Sequence, residues 1–162
     1  MKLAAKYNIE APVDFVYREL VDFDAWERMA LRRGAAVTRL ANLTAPGLTA
    51  SGPGINWQVN FTFRAKDRSA GIRLLAATPD SHLTLSATSA LVEGEILIDL
   101  LHLAASRTRI EVRVEVKPKT LAARIYMQTL RLARKKLDHS YAQRIAQLAV
   151  EMEDRYRRPA KP

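Results

Sequence analysis

The chain has 162 residues, enough for one domain with a sizeable core, and its 48% hydrophobic and 27% charged residues are typical of a folded globular protein. It contains no cysteine, which excludes disulfides, cysteine zinc ligands and a cysteine nucleophile. The net charge of +9 favours anionic partners, and because neither a membrane span of roughly 18–20 apolar residues nor a signal peptide is found, the cytoplasm is the expected location.

The first part of the chain predicts a strand followed by two short helices. Residues 2–9 form the predicted strand, and Pro12 suits the first position of a helix because it has no N–H to leave unpaired. Apolar side chains then recur at helical spacing at Val13, Val16, Tyr17 and Leu20. Asp24 to Glu27 resembles a capping box, which predicts a second helix from Asp24 to about Leu31.

The middle of the chain predicts a run of antiparallel strands. Apolar and polar residues alternate there with a period of two, as in strands buried on one face. The predicted strands are 36–43, 55–63, 69–76, 81–89, 93–103 and 107–117. Residues 44–54, rich in Pro, Gly, Ser and Thr, are predicted to form a loop.

The end of the chain predicts one long helix. Thr120 is suited to cap it, and the sequence up to about Asp154 contains no Gly or Pro. At 1.5 Å per residue this helix would be about 50 Å long, more than a small sheet needs. We therefore expect it either to bend at residues 138–140 or to project at its end, and residues 155–162 to form a frayed tail after a single domain spanning residues 1–154.

This order of elements resembles the START-like, or Bet v 1-like (SRPBCC), superfamily, whose bacterial members are often called polyketide cyclase/dehydrase or lipid-transport proteins. The resemblance rests on residues 9–13 and 22–26 near the start, and on 106–110 and 117–119 before the closing helix. It implies an α+β helix-grip fold. In that fold a curved antiparallel sheet of six or seven strands wraps around the C-terminal helix and leaves an apolar cavity between sheet and helix.

Inward-facing side chains of the strands and of the helix are the candidate walls of this cavity, although each also suits a plain core. Aromatic rings make good walls for an apolar ligand, so Trp57 and Phe61 come first. The predicted lining residues are Trp57, Val59, Phe61, Phe63, Ile72, Leu74, Leu83, Leu85, Ile98, Leu100, His102, Ile110, Val112, Tyr126 and Leu130. Among these, Tyr126 is suited to meet a polar end of the ligand or a partner within the protein. His102 faces inward only if the following turn has three residues.

No catalytic site or metal site is predicted. The three histidines lack metal-ligand spacing, and the motifs of common hydrolases, NTPases and dinucleotide-binding proteins are absent, so no cofactor is expected. The leading hypothesis is non-catalytic binding or transport of an apolar small molecule such as a lipid, quinone or polyketide. The alternatives are an aromatase/cyclase assisted by His102 or Tyr126, and a partner-binding module that uses the surplus length of the terminal helix. The protein is expected to be a monomer or a homodimer.

Basic residues are concentrated before and within the terminal helix. The segment 117–136 carries seven Lys and Arg residues and no acid. Arg124, Arg131 and Lys135 fall on the side of the helix opposite its apolar stripe. They are predicted to contact anionic membrane headgroups, the alternative being a solvated helix face. Binding of nucleic acid is a weaker prediction, because no exposed aromatic residues are interleaved with the Lys and Arg residues.

Overall fold

A computed structural model of the chain describes residues 1–40, 55–63 and 65–158. The predicted loop 44–54 and the last residues of the predicted tail, 159–162, lie outside these ranges. The strands are β1 (Lys2–Ile9), β2 (Ala36–Leu40), β3 (Asn56–Phe63), β4 (Lys66–Thr78), β5 (His82–Ser89), β6 (Val92–Ala104) and β7 (Arg107–Pro118). The helices are α1 (Val13–Leu20), α2 (Phe23–Arg32), α3 (Leu121–Leu132) and α4 (Arg134–Arg157).

The seven strands form one antiparallel sheet in the order β1-β7-β6-β5-β4-β3-β2. Successive strands are therefore neighbours, except that β1 returns to pair with β7 over its whole length. The period-two alternation gives the sheet an inner face, which carries Trp57, Leu74, Ile98 and Ile110 and meets the helices. The predicted α+β helix-grip architecture, with two short helices after the first strand, is confirmed.

The C-terminal helical segment differs from its prediction, because it is two helices separated at Ala133. Ala133 has φ −106° and ψ 27°, which is outside the helical range, whereas residues 138–140, where a bend was expected, are continuous within α4. Alanine is the best helix former, so local propensity does not account for the break. Packing does, since α3 lies against β7 whereas α4 lies along β1 and begins with a hydrogen bond from Arg134 to the Lys2 carbonyl at 2.6 Å.

Helix α4 is docked along its length, and its end does not project. Ala149 and Met152 are fully buried on it. Near its end Arg155 pairs with Glu19 of α1 at 2.7 Å, so residues 155–157 of the predicted tail are helical and held. In the part of the chain that the structure describes, no helix is long and apolar enough to cross a membrane.

Helix α2 starts earlier than the predicted capping box. Asp22 is its N-cap and accepts a hydrogen bond from the Ala25 N–H at 3.2 Å, while Asp24 lies in the first turn. The assignment of Asp24 as the cap and of Glu27 as its partner is therefore wrong. A capping Glu would reach back to the helix start, but Glu27 reaches across to the sheet instead.

Candidate functional site: an apolar cavity under α2

A cavity of about 330 Å³ lies between the inner face of the sheet and the two short helices. The sheet side is formed by Val37, Trp57, Val59, Ile72, Leu74, Leu83, Leu85, Ile96 and Ile98. The helix side is formed by Leu20 of α1 together with Phe23, Trp26, Glu27 and Ala30 of α2. The α2 residues recur at i, i+3, i+4 and i+7, which is one face of a helix, so α2 is the roof of the cavity.

The predicted position of the cavity is wrong. It was expected between the sheet and the C-terminal helix, yet no described residue of α3 or α4 lines it. Helix α4 lies directly on β1, and on the neighbouring strand β7 Ile110 and Val112 are only 1% and 6% exposed. This side of the inner face is packed solid, so the open volume lies over β3 to β6.

The predicted lining residues divide between these two regions. Seven of them border the cavity: Trp57, Val59, Ile72, Leu74, Leu83, Leu85 and Ile98. The other eight are absent from its described walls: Phe61, Phe63, Leu100, His102, Ile110, Val112, Tyr126 and Leu130. Phe63, for example, is 44% exposed at the end of β3. Contact between any of these residues and a ligand stays a prediction.

His102 has the inward register but lies outside the site. The turn after β6 has only two residues, Ala105 and Ser106, yet a β-bulge between His102 and Ala104 restores the register, so His102 pairs with Thr108. Thr108 is fully buried and donates to the Ala11 carbonyl at 2.8 Å. His102 itself is exposed, and it is not among the described residues that line this cavity.

The half-buried phenol of Tyr141 joins helix α4 to the sheet. Tyr141 on α4 donates from its hydroxyl to the Val112 carbonyl at 2.7 Å, and burial raises the pKa of this phenol. Tyr126 is half-buried on α3, away from the cavity. Both tyrosines belong to the same apolar stripe in the sequence. In the structure they lie on different helices, because the helical segment breaks at Ala133.

The polar group of the cavity is one that the sequence pattern did not single out. Glu27 is the ionisable side chain among the described lining residues, and its Oε1 accepts from Trp57 Nε1 at 2.9 Å and from Arg39 Nε at 2.6 Å. Arg39 also reaches Asp24 at 2.8 Å. The hydrogen bond to Glu27 raises the pKa of the Arg39 guanidinium, although burial opposes this. The helical recurrence of Phe23, Glu27 and their neighbours was the available signal.

Helix α3 carries an exposed apolar ridge, formed by Leu121, Ile125 and Leu132. They are 71%, 56% and 91% exposed. At about 100° per residue the three lie within an arc of roughly 40°, on the side opposite the buried Ala123 and Met127. The helix therefore packs one apolar face on the protein and presents another to solvent.

The predicted basic residues lie near this ridge, but not all on one helix. Arg124 and Arg131 border the ridge on α3, whereas Lys135 belongs to α4, beyond the break at Ala133. All three are exposed, and none takes part in an ion pair among the described residues. That Lys135 shares one side with Arg124 and Arg131 stays a prediction, since it begins the next helix.

Comparison with known proteins finds similarity in structure only. No protein-family model matches the sequence, and no curated protein matches it. The structure is similar to the ZhuI aromatase/cyclase from Streptomyces sp. R1128, with a TM-score of 0.68 and 14% identity over 100% of this chain and 99% of that one.

Two further structures extend the likeness. A START superfamily protein from Mycobacterium smegmatis has a TM-score of 0.55 and 10% identity over 88% of this chain and 97% of its own. Ara h 8.0201 has a TM-score of 0.55 and 13% identity over the same shares. At such identities a structural likeness fixes architecture and not activity. The chain therefore has the START-like, or Bet v 1-like, helix-grip fold.

Proposed function

We propose that this protein is a non-catalytic carrier or sensor that binds an apolar small molecule in the cavity under α2. The observation that carries the proposal is a volume of about 330 Å³ whose described walls are apolar except for Glu27. Ligand pockets typically start near this size and combine apolar walls with few polar groups. Binding would be driven by removing ligand surface from water, at about 25 cal/mol per Å².

The test is to look for a ligand that the protein carries and then to titrate candidates. Purified protein is extracted with solvent, and mass spectrometry is expected to find an apolar compound at a stoichiometric level. Fatty acids, sterols and quinones are then added separately, and at least one class is expected to raise the midpoint of thermal unfolding, because a ligand that binds only the folded state stabilises it. No extracted compound and no shift with any class would overturn the proposal.

The aromatase/cyclase alternative has one observation in its favour, the likeness over the full chain to the ZhuI aromatase/cyclase. The residues that the sequence offered for it, His102 and Tyr126, are not among the described cavity walls. Its remaining candidate is Glu27, already bonded to Arg39 and Trp57. Turnover of a polyketide chain by the wild type, lost in Glu27→Gln, would replace the carrier proposal.

We also propose that α3 brings the protein, acting in the cytoplasm as a single domain, to an anionic membrane surface. The ridge of Leu121, Ile125 and Leu132 is an exposed apolar surface beside the cations Arg124 and Arg131. Insertion of an apolar helix face and attraction of Lys and Arg to anionic lipid act together, at about 1 kcal/mol per basic residue near the surface. A homodimer through α3 is less favoured, since it would bring these arginines close to their copies.

Vesicle sedimentation tests this second proposal. The protein is expected to sediment with vesicles that contain phosphatidylglycerol and not with pure phosphatidylcholine, and binding should weaken as salt screens the charges. Leu132→Gln and Arg131→Glu should each reduce binding, whereas Leu31→Gln, on the exposed side of α2, is the matched control. Failure to bind anionic vesicles would overturn the proposal. A dimer that Leu132→Gln dissociates would favour the partner-binding alternative instead.

A further inference from the structure

We infer that the cavity selects a ligand whose polar group is a hydroxyl that donates a hydrogen bond to Glu27, in preference to a ligand that offers only a carbonyl or ether oxygen. The inference rests on the proposed function and narrows it. It predicts alcohols and phenols as the ligand class, and it disfavours quinones and simple ketones. Three features of the cavity support it.

The first feature is an acceptor with remaining capacity. Glu27 is one of the residues that line the cavity, and its two observed hydrogen bonds, from Trp57 and Arg39, both end on Oε1. A carboxylate offers about four acceptor positions and no donor. A hydroxyl inside the cavity is the kind of group that such an acceptor can bind.

The second feature is that the donors of the lining are already used. The indole N–H of Trp57 is bonded to Glu27, and that of Trp26 is bonded to the Leu20 carbonyl at 3.0 Å. The other described wall side chains are aliphatic or phenyl groups without a donor. A ligand carbonyl would lose its water and find no described side chain to replace it, which is costly for a buried polar group.

The third feature is charge balance. The guanidinium of Arg39 lies 2.6 Å from Glu27, so the carboxylate is compensated without a cationic ligand. An anionic ligand would meet the carboxylate at the wall and be repelled. A neutral donor needs no counter-charge and is not repelled by Glu27. The hydroxyl is the simplest such group on an apolar molecule.

The experiment compares two probes that differ only at the polar group, 2-naphthol and 2-methoxynaphthalene, by isothermal titration calorimetry. The wild type is expected to bind 2-naphthol about tenfold to a hundredfold more tightly, the usual range for a hydrogen bond to a charged group. Glu27→Gln should reduce this preference to a few-fold, because the charge assistance is lost. The affinity for 2-methoxynaphthalene should stay unchanged, which shows that the cavity itself is intact.

Asp24→Asn is the matched control variant. Asp24 is the other carboxylate bonded to Arg39, but its side chain is 72% exposed and it does not line the cavity. This variant should keep the wild-type preference for 2-naphthol. If it loses the preference as Glu27→Gln does, the effect belongs to the Arg39 ion-pair cluster and the inference is overturned.

The remaining outcomes separate the inference from the proposed function. Equal affinities of the wild type for both probes would overturn the inference and leave the cavity as an apolar binding site. The same holds if Glu27→Gln, folded by circular dichroism, loses both probes together, since Glu27 would then act on cavity shape. If the wild type binds neither naphthalene probe, and also fails to bind 1-dodecanol and its methyl ether, the result would count against the proposed function itself.

Discussion

The inner face of the sheet has two halves, and the helices pack closely on one and leave a cavity over the other. Over β1, helix α4 supplies long side chains such as Met152, which is fully buried, and its Tyr141 reaches the Val112 carbonyl of β7. Over β3 to β6, the shorter helix α2 supplies the small Ala30 at the roof, and about 330 Å³ stays open. The same sheet thus has a filled half and an open half. The difference teaches that the covering helix, more than the strands, decides where a cavity forms.

This contrast predicts that stability and ligand binding depend on different halves of the sheet. The filled half should carry much of the stability, and the open half should carry binding. Substitutions in one half should then leave the property of the other unchanged.

The largest effect is expected from Met152→Ala in the filled half. Removing a fully buried Met side chain leaves a void that the neighbouring residues fill only partly, so the free energy of unfolding should fall by about 2–5 kcal/mol. Urea denaturation measures this, and Val150→Ala, 42% exposed on the same helix, should change it by less than about 0.5 kcal/mol. Weaker ligand binding by a still-folded Met152→Ala would contradict the division.

The next effect is expected from Ala30→Phe in the open half. The added ring occupies part of the cavity that the ligand would fill. Ligand affinity should therefore fall by about tenfold or more, which corresponds to a loss of about 1.4 kcal/mol or more in binding free energy. Stability should change by less than about 1 kcal/mol, because the ring enters open volume instead of a packed core. Calorimetric titration measures the affinity. Leu31→Phe, on the exposed side of α2, is the control and should bind as the wild type does.

A smaller effect is expected from Tyr141→Phe, which removes the hydrogen bond between α4 and the Val112 carbonyl. Near neutral pH the loss should be about 1 kcal/mol. Burial raises the pKa of Tyr141 in the folded state. The stability that this gives is complete below the ordinary tyrosine value of about 10 and is lost as the pH rises through the folded value.

Denaturation at several pH values checks this sign. Above pH 10 the wild type should lose stability more steeply than Tyr141→Phe, so the two curves should converge. Tyr17, whose pKa is also raised by burial and by Asp80, is present in both proteins and cannot produce the difference. Parallel curves above pH 10 would show that the Tyr141 phenol does not contribute.

The smallest effect is expected from His102→Ala. His102 is exposed beyond both halves, so stability should change by less than about 0.5 kcal/mol and ligand affinity should not change. A clear loss of affinity in a titration would place His102 at the site after all.

The sequence predicted the sheet well and the cavity only in part. Period-two alternation identified the inward residues of β3 to β7, because a strand side chain alternates whatever packs above it. Which inward residue borders open space depends on the helix that covers it, and the sequence does not state this. Hence Ile110 and Ile98 share the same pattern, but Ile110 is buried in the core and Ile98 lines the cavity.

The structure differs from the sequence pattern at two local features, the helix break at Ala133 and the position of Glu27. The break at Ala133 falls on a strong helix former, and it coincides with the change of docking surface from β7 for α3 to β1 for α4. Glu27 was assigned to a capping box that started at Asp24, and this hid its place on the inward face of α2. Because Asp22 is the N-cap, Glu27 has no capping role and lines the cavity.

The chain has two tryptophans, Trp26 and Trp57, and both border the cavity. Indole emission excited at 295 nm therefore originates from this one location, without any added label. A guest molecule that displaces water from the two rings should shift the emission to shorter wavelength and shield it from acrylamide. The protein thus carries its own optical indicator of whether the space under α2 is filled.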